Sequence, residues 1–136
     1  MDEQKGGKIV MAGGLNGEAN SWGQPAAWCD YYGEIPNAGV RGIALFDNPA
    51  NLRYPTRWHV RAYGLNGANC FGLSYFTEKA QKAKGEAPLN GDYVLKADDT
   101  VTFNYRAMIH SGDTEAANVA GHAADYGAPP KAEWVK

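Results

Sequence analysis

TVTFNYRAMIH, residues 100–110, is the stretch that decides the fold class. Val101, Phe103, Tyr105, Ala107 and Ile109 alternate with Thr102, Asn104, Arg106, Met108 and His110. A period of two is the signature of an extended strand with two faces. TRWHVRAYG (56–64) repeats it, with Trp58, Val60 and Ala62 on one face and Arg57, His59, Arg61 and Tyr63 on the other. Working outward, KIVMA (8–12), AAWCDYY (26–32), VRGIALFD (40–47) and CFGLSYF (70–76) read as further strands. Val40, Ile43, Leu45 and Phe46 are core candidates of the third of these. DYVLKADD (92–99) reads as the first arm of a hairpin whose second arm is 100–110.

The connectors are polar. Residues 13–25 read as a long loop, LNGAN (65–69) as a turn and TEKAQKAKGEAP (77–88) as an exposed excursion. DNPANLRYPTR (47–57) reads as an ordered loop, because Pro49 and Pro55 fix φ and restrict their neighbours. SGDTEAANVAGHAADYG (111–127) is the helical candidate, with a helix expected within about 113–126. Asp113 and Glu115 suit its positive end, and Gly127, Pro129 and Pro130 stop it. The tail KAEWVK is expected to dock through Trp134 and Val135. Residues 1–7 read as a disordered tail and 8–136 as one domain.

Composition agrees with many short segments. The 17 Gly and 7 Pro of 136 residues make about 18% of the chain, against roughly 12% in globular proteins. Thirteen basic and 15 acidic residues leave a net charge of -2, a poor match to nucleic acid, which demands a positive surface. Two cysteines exclude a disulfide scaffold and a four-thiolate metal site, and both read as buried thiols. No run of 18 apolar residues suggests a membrane span. Nor does the start of the chain resemble a signal peptide. The chain therefore reads as cytoplasmic as it stands, or periplasmic if it is a processed or cloned fragment. The fold expected is all-β: a β-sandwich with one C-terminal helix. The strands form either two small sheets or one curved sheet whose apolar face another chain covers. Eight Tyr and four Trp suit both options.

Chemistry-bearing residues cluster on 57–63. His59, Arg61 and Tyr63 share one strand face, with Arg57 extending the row. Histidine suits proton transfer near pH 7, arginine offers a planar fork to an anion, and tyrosine can donate to a developing oxyanion. A solvated polar face is the alternative. Arg41, Arg53, Arg57 and Arg61 face one acid, Asp47, within 41–61, a bias that fits an acidic ligand or internal pairing. His59, His110 and His122 form no local metal pair, and no P-loop, Rossmann turn or nucleophile elbow occurs. Neither a metal nor a cofactor is expected.

GIALFDNPANLRYPTRWHVRAYGLNGANCFG (42–72), with AAWCDYYG (26–33) before it and TVTFNYRAMIHSGD (100–113) after it, resembles a known family. It is similar to the C-terminal half of the soluble bacterial proteins called the methane oxygenase PmoA family, a name that implies no methane chemistry here. Trp28, Asp30, Tyr31 and Gly33 match its first element; Asp47, Pro49, Asn51, Arg53, Pro55 and Thr56 match its loop. Trp58, His59, Arg61, Tyr63 and Gly64 match its strand, and Asn69, Phe71 and Gly72 the next turn. Tyr105, Arg106, His110, Gly112 and Asp113 match its end. Asn48 and Tyr54 stand where the family carries histidines, and Leu52 and Cys70 where it carries prolines.

The resemblance implies a fragment of a galactose-mutarotase-like supersandwich, since family members are about twice this length. It also implies a carbohydrate-active enzyme of hydrolase, lyase or epimerase type, acting on a plant or bacterial saccharide. His59 would be the acid or base, Arg61 the charge clamp, and Tyr63 or Asp30 the second proton-transfer group. Trp58, Asn48, Tyr54, Arg57, Asn69 and His110 would contact the sugar. His59, Arg61 and Tyr63 are then expected to line one concave surface with Asp30 or His110 in reach. Two alternatives stand beside this: a non-catalytic carbohydrate-binding or assembly module, and a C-terminal fragment completing a larger sandwich. The partners expected are a saccharide, and either a second copy of the chain or a missing N-terminal half. Self-association would cover apolar faces and strand edges that a half-sandwich leaves open.

Overall fold

Alternating side chains build an antiparallel sheet with a core on each face. The structure, a computed structural model, describes residues 5–129; residues 1–4 and the expected docking of Trp134 and Val135 lie outside them. The strands are β1 (Lys8–Met11), β2 (Leu15–Asn16), β3 (Trp28–Ile35), β4 (Gly39–Asp47), β5 (Trp58–Arg61), β6 (Leu65–Ala68) and β7 (Tyr105–Ser111). The helices are α1 (Gly17–Ser21), α2 (Leu73–Ala83) and α3 (Val119–Gly127). Five strands form one antiparallel sheet in the order β2-β1-β3-β4-β7, and β5 and β6 pair as a separate hairpin. The regular structure among the described residues is therefore mostly strand, with three helices where one was expected.

Two cores lie on opposite faces of the sheet. On the first, Ile9, Met11, Cys29 and Tyr31 pack against Trp58 and Val60 of the hairpin. The Trp58 indole N–H donates to the Ala26 carbonyl at 2.8 Å, and the Tyr31 hydroxyl donates to the Ala62 carbonyl. On the second, Ala44 and Phe46 pack against Val119, with Trp28, Met108 and Tyr126 around them. The small residues Ala117 and Ala123 let the helical segment lie close to the strands.

Several expectations are corrected. Residues 13–25 are not a bare loop, since β2 and α1 form there. LNGAN is not the turn: Leu65–Ala68 is β6, and the chain reverses at 62–64, where Gly64 takes φ 108°. CFGLSYF is not a strand. Leu73, Phe76, Thr77 and Ala80 follow helical spacing, and Phe76 and Thr77 bury the inner side of α2. DYVLKADD forms no strand either; residues 86–104 run without regular structure apart from a turn at 97–98. The helix begins at Val119, later than expected, because Asn118 takes φ 48° and interrupts it. The alternation of β4 and β7 is present; of the core candidates Phe46 is buried as expected, but it shares its row with Ala44 and not with Ile43. Ala44 and Phe46 are buried in β4, and Met108 and His110 are the more buried side chains of β7. Ile43 is 42% and Ile109 81% exposed.

Candidate functional site

The second face of the sheet carries a buried polar constellation. Asp30 on β3 has no exposed surface and pairs across the ladder with Ala44. His110 Nε2 lies 2.9 Å from Asp30 Oδ1, and the Thr114 hydroxyl donates to Asp30 Oδ2 at 2.6 Å. Eighty residues separate the histidine from the aspartate; only the β3-β4-β7 order joins them. Gly42, which stands opposite His110 on the intervening strand β4, leaves room for the imidazole. A Cβ there would sit 2.2 Å from His110 Nε2. With Asp30 ionised the bond uses the Nε2–H, so Nδ1 takes no part in it. That Nδ1 is buried and has no hydrogen-bond partner among the described residues. Both His110 and Thr114 serve Asp30, so the threonine is not activated by the histidine as a nucleophile would be. A carboxylate that orients an imidazole is nonetheless the pairing that general-base chemistry uses. Burial, with the negative charges of Asp113 and Asp30 behind it, pushes the nearby Tyr32 hydroxyl above its ordinary value.

The hairpin row sits elsewhere. His59 and Arg61 share the outer face of β5, as period two requires, opposite the Trp58 and Val60 side chains that enter the first core. His59 packs edge-on to Trp22 at 6.5 Å and Phe76 at 5.9 Å, and tilted to Tyr75 at 6.2 Å. Arg61 lies over the Trp22 ring at 5.3 Å and bonds Glu18 Oε1 at 2.9 Å. Glu18 Oε2 accepts the Ala62 N–H at 2.6 Å. Tyr63 falls beyond the strand on the turn, 70% exposed. The structure thus keeps His59 and Arg61 on one face but does not bring them to Asp30 and His110, which face the opposite side of the main sheet.

Glu18 gives a pH test of this corner. The Ala62 N–H, and then Arg61, hold its carboxyl below its ordinary value of 4.5. A carboxyl depressed in the folded state contributes stability above its unfolded value and loses it as pH falls through the folded one. Glu18→Gln is expected to cost about 1 kcal/mol at pH 7, since the pair is partly exposed. The cost should fade below pH 4.5. Urea melts of both proteins across that range read it.

The 47–57 loop is held from within. Asp47 Oδ1 accepts from Asn51 Nδ2 at 2.7 Å and Oδ2 from the Thr56 N–H at 2.7 Å. Asn51 also bonds both backbone groups of Asn104, at 2.6 and 2.7 Å. Arg53 donates to the carbonyls of Cys70, Gly91 and Asp92, and Arg57 to that of Gly23. Local arginine excess therefore serves carbonyl clamps as well as the Glu18 pair.

Of the sugar-contact candidates, Trp58 is fully buried, which leaves it no face for a ligand. Asn48 closes its own turn by accepting the Ala50 N–H. Tyr54 lines a cavity of about 380 Å³ beside α3, and Arg57 one of about 310 Å³. Asn69 lines a third, of about 220 Å³, with Phe71, Phe103 and Tyr105. Around that third cavity runs a row of rings that sequence reasoning missed as a set. Tyr93 lies 6.1 Å from Phe71, Phe71 5.9 Å from Phe103, and Phe103 is stacked on Tyr105 at 6.3 Å and 13°. Burial, reinforced by Asp47, pushes the Tyr105 hydroxyl up to about 12. Thr114 and Gly42 were also missed. Gly42 had a signal, because a glycine inside a strand marks a close approach. The ring row had none, since its members come from three separate segments. Among the described residues no group of three His, Cys, Asp or Glu side chains could hold a metal ion. No helix among them is long and apolar enough to cross a membrane.

An antiparallel sheet with a hairpin on one face and a buried Asp–His pair on the other defines a β-rich domain. The chain belongs to DUF6807, a family of unknown function, which matches residues 1–124. Neither a curated protein nor a solved structure matches it.

Proposed function

We propose that the chain is a non-catalytic carbohydrate-binding or assembly module, and that its sheet and hairpin are part of a β-sandwich of the galactose-mutarotase-like type. The row Tyr93, Phe71, Phe103 and Tyr105 beside Asn69 carries this reading. Exposed rings offer the flat apolar faces of a sugar a stacking surface, and an amide at the cavity bonds hydroxyls. The resemblance to the PmoA-type family adds a saccharide context. The engagement of Arg61, Arg53 and Arg57 in internal bonds favours binding over catalysis.

Affinity electrophoresis through plant and bacterial polysaccharides tests it. Retardation by at least one polysaccharide is expected, and Phe71→Ala with Tyr93→Ala should weaken it at least about tenfold, a loss typical of aromatic anchors. Unretarded migration in every gel overturns the reading. Catalysis is the second reading, favoured by the orientation of His110 by Asp30. Under it, release of new reducing ends or unsaturated products should appear with wild type and vanish with His110→Gln.

A further inference from the structure

Arg53 and Arg57 carry positive charges that no acid in the described fold balances. Among the described residues neither has a carboxylate within ion-pair distance. Arg53 is held by the carbonyls of Cys70, Gly91 and Asp92, and Arg57 by that of Gly23. Such bonds fix the plane of a guanidinium, yet a carbonyl brings no counter-charge, and a guanidinium has more N–H donors than these bonds use. Asp47 has both oxygens taken, by Asn51 and by the Thr56 N–H. Asp92 gives Arg53 its backbone carbonyl and no ion pair. Arg41 and Arg106 also lack a carboxylate partner, but they are exposed and water serves them. Arg53 and Arg57 are half-buried, where an uncompensated charge costs more.

The two arginines line one cavity of about 310 Å³, whose other walls are Pro25, Pro55, Cys70 and Leu73. That volume is at the small end of ligand pockets, and the lining has their character: apolar walls with a few polar groups. The first turn of α2, which begins at Leu73, brings no acidic residue to it. Cys70 also lines the Asn69 cavity beside the ring row, so the two cavities meet at one residue.

We infer that the ligand is an acidic saccharide, with a uronate carboxylate held between Arg53 and Arg57 and a neighbouring sugar unit stacked on the rings beside Asn69. The inference rests on the saccharide reading and narrows it to a charge class. Arginine suits a carboxylate because its planar fork matches the two oxygens. Proline and leucine walls accept the apolar face of a sugar ring, whereas a free phosphate would lose hydration against them without return. The chain as a whole carries a net charge of -2. A polyanion therefore gains nothing from the overall field of the protein and must be recognised locally.

Affinity electrophoresis of the full chain through polygalacturonate and alginate is the test. Each gel is run beside one holding the same polymer with its carboxyl groups reduced to alcohols, which keeps rings and linkages and removes the charge. At least one acidic polymer should retard the wild type, and its reduced form should bind at least about tenfold more weakly. Arg57→Gln should lose that preference. Leu73→Glu sets a carboxylate against the two arginines and suits the first turn of a helix, so it should fold and lose the preference too. Arg41→Gln removes an exposed arginine that does not line the cavity and should behave as wild type. Circular dichroism verifies each fold. Equal retardation by acidic and reduced polymers, or retardation by neutral polysaccharides alone, overturns the inference and leaves the saccharide reading standing. No retardation in any gel removes both. A preference that survives in the folded cavity variants overturns the inference, as does one that millimolar inorganic phosphate abolishes at constant ionic strength, which would assign the cavity to phosphate.

Discussion

Gly42→Ala should cost about 3 kcal/mol or more of unfolding free energy, a large effect for one methyl group. Gly42 lies between Tyr32 and His110 in the ladder. The new Cβ would meet His110 Nε2 at 2.2 Å, Cε1 at 2.3 Å and the Tyr32 Cβ at 2.9 Å. Real Cβ atoms do not approach so closely, so the imidazole must swing away. Its departure takes the partner from Asp30 Oδ1 and leaves the carboxylate, which has no exposed surface, with the Thr114 hydroxyl. An uncompensated buried charge is the costly element, more than the clash. A double-mutant cycle separates the two. In a His110→Ala background only the Tyr32 contact remains above Gly42, so Gly42→Ala should cost about 1–3 kcal/mol less there, the range of coupling between residues in contact. Chemical denaturation of the four proteins provides the cycle. Equal costs in both backgrounds would mean that the histidine does not occupy the space above Gly42.

Asn51→Ala should cost about 2–4 kcal/mol. Its side chain replaces a strand neighbour for residue 104, taking the N–H at 2.7 Å and giving to the carbonyl at 2.6 Å. It also satisfies Asp47 Oδ1 at 2.7 Å, and Asn51 and Asp47 are both buried. Alanine removes all three bonds and supplies no partner in return. Because the tie spans 53 residues, its loss should also free the 92–104 segment, read as faster limited proteolysis there. Asn51→Asp keeps the volume and the acceptor but sets a second carboxylate against Asp47. It should be worse than alanine at neutral pH and recover as acid protonates one of the two. A variant that melts like wild type would mean that the loop is held by Arg53 and its three carbonyl bonds instead.

Much of the frame was legible in the residues alone. Period two located β5 and β7 within about five positions, because alternation is a local property of a pleated backbone, and β1, β3 and β4 also lie where strands were read. The two prolines marked 47–57 as an ordered loop, and the structure shows Asp47, Asn51 and Arg53 holding it. Where the reading went wrong, a local signal met a competing one. Phe71, Tyr75 and Phe76 look like strand residues, yet Leu73, Phe76 and Ala80 also satisfy helical spacing, and burial of Phe76 against Trp22 at 5.1 Å selects the helix. DYVLKADD has strand propensity but no partner strand, and an unpaired strand does not satisfy its backbone.

The candidate site divides the same way. Asp30 and His110 stood out singly, in separate matching segments, as did His59 and Arg61. Which of them meet depends on which face each strand turns to the next layer, and period two is silent on that. Sequence by itself determined that the chain is built of two-faced strands, that 47–57 is an ordered loop, and that polar residues punctuate the faces. Tertiary structure decided that Asp30 joins His110 and not His59, that rings from three segments form one row, and that the Ile43–Ile109 face is the one left open. Pairing across 53 or 80 residues is chosen by the burial of whole faces, and that is a property of the assembled layers, not of any stretch within them.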